Sequence, residues 1–536
     1  MDYIDHSFEG VRGIISVLIS RNAFVLGGII AASIYLLDFI LSPRLDPREP
    51  PLVKPSFPLI GHIVGLLRHQ NQYHQIVQEK HPLPIATLQM LWGKLYAVWD
   101  PALAQAVLRA PQPSVEPFFI DFAAAVFGSS KETVQKIKDR NEHGLIQDFG
   151  HAVHNSMNPA ALRQMNMAVL KFVGETFSDA NGGSDGVLQY DNMWLWIKDL
   201  ITIPTTRALY GRENPFDKDP PLTKTAWDFE ENMASLLMTP FPSLLARKAY
   251  QARAKLQAAM VEWFTAEHDV TDSTVGGITR DRARVLRTNG FSSDEIGKVE
   301  MILAIAGVTN SAPTLFWMIA YVYARPYLVA MLRDEMDAFV HREKTTGSGD
   351  IATIKATNFE AQCPLLTSCF RETLRLSCFG VSSRRLVADA TVTDSNGHPY
   401  LLKKGVDIQV PVGVPHRLEN VWDNTAAKFD YQRFLEKKGA RNGTSEKAKK
   451  TAYIPFGGGR HLCPGRSFAL TEVMSIMGTL LAGFEVESLG LSFSDVKLGP
   501  PRMTTAVVKP LNEGAGLGVR ITRRKGWEQV QWKYEC

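Results

Sequence analysis

Cysteine is scarce in this chain: five of 536 residues, at positions 363, 369, 378, 463 and 536, with no CxxC pair. So few, so unevenly placed, exclude a disulfide framework, and a reducing compartment suits the folded part. An excess of charge is missing too. Against 55 acidic residues stand 59 basic ones, a formal +4, which excludes a broad nucleic-acid or polyanion role. No repeat period runs through the chain. The basic run Arg520 to Lys525 reads as a solvated tail. Length alone would accommodate two to four domains.

Long apolar runs are present. Ala23 to Leu41 is nearly unbroken, charged only at Asp38, and as a helix at ~1.5 Å per residue it would span roughly 28 Å, about a bilayer core. A cleaved signal peptide is a rival reading, but the run is long, begins late and lacks a small-x-small cleavage site. A buried core helix is another. Arg12 and Arg21 precede the segment, and Arg44, Arg48 and Lys54 follow it. The positive-inside tendency therefore favours a cytosolic C-terminal bulk only slightly. Prolines 43, 47, 50, 51, 55 and 58 then make a stiff connector. The expected organisation is an anchor over 1–42, a hinge over 43–61 and a globular part over 62–536. Within that part, Thr87 to Trp99 reads as a hairpin around Gly93, Pro101 to Leu108 as a short helix, and Lys131 to Trp263 as mostly helical, with breaks at Gly182-Gly183 and Pro240 to Pro242.

A second apolar run belongs to a long predicted helix, Ser293 to Ala324. Ser292 and Glu295 form a capping box before it and Arg325-Pro326 ends it. Ile302 to Ile319 carries no charge, so this helix is expected to be buried. Pro313 removes one helical hydrogen bond and predicts a kink just upstream, where backbone groups are freed for a small molecule such as O2. A core helix with an incidental proline accounts for the same residues.

Near the C-terminus, Phe456-Gly-Gly-Gly-Arg-His-Leu-Cys463-Pro-Gly-Arg466 places one cysteine in a glycine-rich loop before a predicted helix, Arg466 to Ala482. Glycines permit tight positive-φ turns that bring amide N–H groups to the sulfur. Pro464 suits a first helical position. A helix N-terminus beside Cys463 is expected to lower its thiol pKa, as an iron-ligating thiolate requires. A structural cysteine beside a glycine turn is the alternative.

The loop resembles the haem-binding loop of the cytochrome P450 superfamily, F-x-x-G-x-R/H-x-C-x-G, with Phe456, Gly459, His461, Cys463 and Gly465 at every fixed position. The resemblance implies a mainly α fold with small β-sheets: a triangular α-rich domain and a minor β subdomain, here behind an N-terminal transmembrane helix. It implies haem b with Cys463 as axial ligand, and a monooxygenase taking O2 and electrons from NADPH through a cytochrome P450 reductase. Resemblance to microsomal members implies a single-pass protein of the endoplasmic reticulum membrane, its catalytic domain cytosolic.

Further stretches follow the family order. Glu372-Thr-Leu-Arg375 resembles the ExxR helix, and Phe429 to Phe434 the F-x-P-x-R-F stretch, with Tyr431 where proline is usual. Glu372, Arg375 and Arg433 are expected to form a buried structural ion-pair cluster, since a lone buried charge costs ~3–5 kcal/mol. Arg384 is the closest match to a propionate-binding arginine, with Arg385 competing, and Arg460 or His461 should add a second contact. The family's W-x-x-x-R site has no match here; Lys136, Lys138, His151 and His154 are the substitutes in its region.

The long helix departs from the family's A/G-G-x-D/E-T-T pattern. It reads Ala306-Gly-Val-Thr-Asn-Ser311, with Thr309 in the acid position and Asn310 in the threonine position. This version resembles the branch holding cholesterol 7α-hydroxylase, sterol 12α-hydroxylase and prostacyclin synthase. Gly307, Asn310 and Ser311 are expected to form the oxygen-side wall. An amide both donates and accepts but cannot shuttle a proton as an acid does, so Ser311 or water would assist. The branch leaves two activities open: hydroxylation of an apolar substrate (sterol, terpenoid or polyketide-like), or rearrangement of an already oxygenated one without O2 or reductase. The resemblance places the substrate chamber between segments such as Pro113 to Phe127 and Met233 to Leu245, through Phe118, Phe119, Phe122, Phe127, Leu236, Leu237, Met238 and Phe241.

Overall fold

Apolar strands and short turns dominate the start of the folded chain, and there they build a sheet. The computed structural model describes residues 25–536 apart from 27, 31, 34, 41, 56–59, 92, 179–186, 345–348 and 436–443. Strands β1 (Leu52–Val53), β2 (Ile85–Gln89), β3 (Lys94–Val98), β4 (Pro113–Ser114), β5 (Val381–Leu386) and β6 (Asp407–Pro411) form one sheet in the order β1-β2-β3-β6-β5-β4. The expected hairpin is β2–β3, antiparallel with Ile85 opposite Val98 and Gly93 at φ +95°, an angle that favours glycine. Antiparallel pairing of β5 with β6 sets Arg385 opposite Asp407 and Arg384 opposite Ile408.

Helices make up most of the rest. Five define the centre: α1 (Met193–Tyr210), α2 (Ser293–Val308), α3 (Ser311–Tyr323), α4 (Pro364–Ser377) and α5 (Arg466–Gly483). Ser292 Oγ accepts from the Glu295 amide at 3.2 Å while the Glu295 carboxylate accepts from the Ser292 amide at 2.8 Å, the expected capping box. The predicted single helix is interrupted at Thr309-Asn310. Pro313 has no N–H to offer the carbonyl four residues back, which is that of Thr309, and its ring crowds that carbonyl. α3 and α5 are apolar on nearly every side and buried along their lengths, as all-round apolar helices must be. α3 packs on α1, α4 and α5, so the break lies deep in the main core.

Two sequence expectations are corrected. Arg520 to Lys525 is no solvated tail: Leu517–Arg523 is the middle strand of a three-stranded sheet, and buried Arg523 donates to the carbonyls of Phe177, Trp527 and Val530. Alternating apolar residues at 517, 519 and 521 explain the strand. Helix α5 begins at Arg466, with Pro464 in the preceding turn instead of in the first helical position.

Among the described residues, the run long and apolar enough to cross a membrane is Ser293–Tyr323, and 78 % of its most apolar window is buried in the fold. It is a core element. Around Gly28–Ile40 the opposite holds: the described residues are helical and their apolar side chains, Phe39 among them, are exposed, so this segment is not a core helix. Gly182-Gly183 and the residues before 25 lie outside the described residues.

Candidate active site

The cysteine loop is set by two left-handed glycines. Gly457 has φ +73° and Gly459 φ +63°, and a Cβ on Gly459 would come within 1.8 Å of the Leu108 carbonyl oxygen. Glycine is therefore required where the loop meets the Pro101–Arg109 helix. The Cys463 amide donates to the Phe456 carbonyl at 3.0 Å, closing the loop. Gly465 follows so closely that a Cβ there would contact the sulfur at 3.9 Å. Burial pushes the Cys463 thiol above its usual pKa; the amides of Gly465 and Arg466 and the Arg466 cation pull it down, but by less. The expected lowering by the helix terminus is thus real in sign and outweighed by desolvation.

Behind the loop lies the ion-pair cluster. Arg375 binds Glu372 through two 2.8 Å bonds and donates to the carbonyls of His416 and Ala426 at 2.7 Å. Arg433 reaches the same carboxylate at 3.2 Å and the Trp422 carbonyl at 2.9 Å. All three side chains are buried. His416, which sequence reasoning missed, ties this cluster to the loop: its Nε2 accepts from the Ile454 amide at 3.1 Å, two residues before Phe456. Burial, then the cations Arg417 and Arg375, hold its pKa well below the usual value, so the ring is neutral and free to accept.

Across a cavity of about 510 Å³ stands the helix break. Asn310 Oδ1 accepts from the amides of Ala506 and Val507, both at 3.1 Å. Two N–H donors fix the carbonyl end, so only the Nδ2 donor end remains for the cavity. The expectation of an amide that both donates and accepts is corrected on that ground. Ser311 also lines the cavity; Thr309 is buried and does not. Gly307 lines it as well, but a Cβ there would meet Thr205 Cγ2 at 3.1 Å. Its bareness serves close approach of α2 to α1.

Arg384 is buried, lines the same cavity, and donates to the Ser383 carbonyl at 2.8 Å, its one hydrogen bond among the described residues. Burial pushes its pKa down to about 10, with no carboxylate among the described residues opposing it. Arg385 is instead engaged by Asp407 at 2.6 Å and Asp121 at 3.3 Å, over the Phe118 ring. Of the two arginines, Arg384 is therefore the one that lines the cavity without a carboxylate partner among the described residues. His461 faces the cavity near Arg384, whereas Arg460 is exposed outside it. Lys136 is tied to Glu295 at 2.9 Å, and Lys138, His151 and His154 line no part of the cavity. The expected chamber segments do not line it either. Phe118 lies under Arg385, Phe122 packs on Phe127, and Leu237, Met238 and Phe241 are exposed. The walls come from Met157, Met165, Leu209, Leu303, Phe370 and Leu374 among others.

These features fit a haem. An apolar slot carries one cysteine thiol, and its buried guanidinium has, among the described residues, no carboxylate of the kind such a cation needs. Cys363, Cys369 and Cys378 are buried away from the slot, with burial holding them as neutral thiols (Cys363 pushed up to about 12, Cys378 to about 11).

A family model for cytochrome P450 matches residues 225–510. A cytochrome P450 monooxygenase of Gibberella zeae is 34 % identical over 98 % of both chains. The pig 5-beta-cholestane-3-alpha,7-alpha-diol 12-alpha-hydroxylase is 23 % identical over 91 % of this chain and 97 % of its own. Among solved structures, the retinoic acid-bound cyanobacterial CYP120A1 superposes with a TM-score of 0.64 at 17 % identity, covering 89 % of this chain and all of that one. The chain belongs to the cytochrome P450 family. It is an oxidoreductase, a haem-thiolate monooxygenase carrying haem b on a cysteine thiolate, and it resembles the sterol-hydroxylase branch.

Proposed function

We propose that Cys463 is the thiolate ligand and that the enzyme oxidises an apolar substrate of sterol, terpenoid or polyketide type. Electrons would come from NADPH through a cytochrome P450 reductase. The observation that carries the ligand assignment is that Cys463 alone among the described cysteines lines the cavity. Bound haem supplies the oxygen chemistry. Around it, Phe456, Gly459 and Gly465 shape the loop, Arg384 and His461 meet the carboxylates of the group, and Arg460 stands outside as a solvent-facing charge. Glu372, Arg375 and Arg433 hold the scaffold. Asn310 presents a hydrogen-bond donor and Ser311 a hydroxyl on the oxygen side, and Gly307 sets their distance from α1.

An apolar substrate is supported by the lining, in which apolar side chains, Met157, Met165, Leu209, Ile278 and Leu303 among them, outnumber polar ones. The exposed apolar helix around Gly28–Ile40 supports residues 1–42 as a membrane anchor, 43–61 as its hinge and 62–536 as a catalytic domain on the cytosolic face of the endoplasmic reticulum. The test of the ligand is Cys463→Ala: haem binding or the red-shifted carbon-monoxide band of a thiolate haem should be lost, and a retained band refutes the assignment. The substrate class is tested by spectral shifts on adding sterols, terpenoids and polyketides; shifts with small polar compounds alone would refute it. Product formed without O2 and NADPH would mean rearrangement instead of oxygenation.

A further inference from the structure

Helix α3 opens on an uncommon cap. Asn310 is its N-cap residue, and asparagine is favoured there because its side-chain oxygen accepts from the amide two or three residues on. Here it makes no such bond. The third helical position is Pro313, which has no N–H to give. Pro313 therefore does more than interrupt the helix: it removes one of the two usual local partners of the Asn310 carboxamide and helps release it to a distant segment. That segment is Thr505 to Lys509. The amides of Ala506 and Val507 donate to Asn310 Oδ1, both at 3.1 Å, and both residues line the cavity. One residue further, the Val508 carbonyl accepts from Trp317 Nε1 at 2.5 Å. Asn310 and Trp317 stand seven residues apart, about two helical turns, so one helix face grips three consecutive residues.

The rest of the segment is held from elsewhere. The Ala506 carbonyl accepts from the Phe379 amide at 2.7 Å, the Val508 amide donates to the Ser377 carbonyl at 2.9 Å, and Lys509 Nζ pairs with Glu230 and, at 3.4 Å, with Glu231. Trp317 is 1 % exposed and lines no part of the cavity. Its hydrogen bond is not a general need of buried indoles in this fold: the N–H groups of Trp99, Trp194, Trp263 and Trp532 are buried without a partner among the described residues. We propose that Trp317 is a positioning residue of the oxygen-side wall. By holding the Val508 carbonyl it fixes the Ala506 and Val507 amides, and through them it fixes which end of the Asn310 carboxamide is left to the cavity. With Oδ1 committed to two donors, that end is Nδ2. Once the indole N–H is gone, the segment is free to shift and the carboxamide to turn its oxygen inward. The same grip holds the Ala506 and Val507 side chains, so the donor and the apolar wall beside it keep one fixed relation.

The inference rests on the reading of Asn310 as the oxygen-side donor, and the experiment separates the two. The probe is carbon monoxide on the reduced, haem-loaded full chain, read by infrared spectroscopy. A hydrogen-bond donor at its oxygen lowers the C–O stretching frequency, so the band reports on Asn310 without substrate or turnover. The native chain should give one narrow band, and Asn310→Ala a band at higher frequency. Trp317→Phe keeps an aromatic ring and removes the N–H; it should broaden the band and move it in that same direction, with amide exchange at Ala506 and Val507 severalfold faster. A Trp317→Phe band that coincides with the native one overturns the proposal and leaves the donor reading standing. A band unmoved in Asn310→Ala refutes that reading and the proposal with it. Should Trp317→Phe fail to fold, the benzothiophene analogue of tryptophan at position 317 keeps the bicyclic shape and lacks the N–H. Its band must shift likewise, and an unmoved band overturns the proposal equally.

Discussion

Glu372, Arg375 and Arg433 bury their charges behind the cysteine loop, and each polar end finds carboxylate or carbonyl partners. On the cavity side, Arg384, Asn310 and Glu472 are set into the same core with polar ends that find no partner among the described residues: a guanidinium without carboxylate, an amide with an unengaged Nδ2, a carboxyl with an unbonded Oε2. The first region resembles a finished interior, where satisfied networks rigidify the fold. The second keeps bonding capacity in reserve, at an energetic cost that a purely structural core would not retain. Position in the sequence does not separate the two. Arg375 and Arg384 are nine residues apart, one on a helix facing the scaffold, the other on a strand facing the slot.

Mutation can break that comparison. The largest effect is expected from Glu372→Ala, which strands two buried guanidinium groups. Denaturant unfolding should record a loss of about 3–5 kcal/mol or more, and a loss below about 1 kcal/mol would mean that the cluster is not the finished interior described. Asn310→Ala removes the acceptor of two backbone amides and should cost about 1–3 kcal/mol, with the helix break loosened; amide exchange at Ala506 and Val507 checks this directly.

Glu472 sharpens the contrast through pH. Its folded pKa, about 8, lies above the ordinary 4.5, so the fold favours the neutral acid. The stability this contributes is fully present below about pH 4 and is lost as pH rises through about 8. Glu472→Gln stays neutral throughout, so its melting temperature should gain on that of the native chain between about pH 5 and about pH 8; a pH-independent gap would show that the acid is ionised in the fold. The smallest stability change belongs to Arg384→Met. Removing an unpaired buried cation should leave the haem-free protein as stable as before, or slightly more so, while haem is released more readily. A large loss of haem-free stability would reveal a partner for Arg384.

Much of the site was legible because its determinants are local. The turns at Gly457 and Gly459, the capping box at Ser292 and Glu295, the break imposed by Pro313 and the three-residue spacing of Glu372 and Arg375 depend on neighbours within one or two helical turns. The choice of Arg384 over Arg385 was not legible, because both lie on one strand and only the sheet decides which faces the slot. His416 and Glu472 were missed for a related reason: a lone histidine and a lone acid in apolar stretches carry no pattern.

Length, apolar periodicity and glycine and proline placement, taken alone, determined the helical class, the cysteine loop and the interrupted central helix, since those follow from backbone sterics and short-range hydrogen bonding. Tertiary structure alone decided the amide orientation of Asn310, set by residues 196 and 197 positions away, and the meeting of Thr205 with Glu472 across 267. Contacts over such separations arise from which helix faces pack together, and no local pattern of side chains encodes that choice.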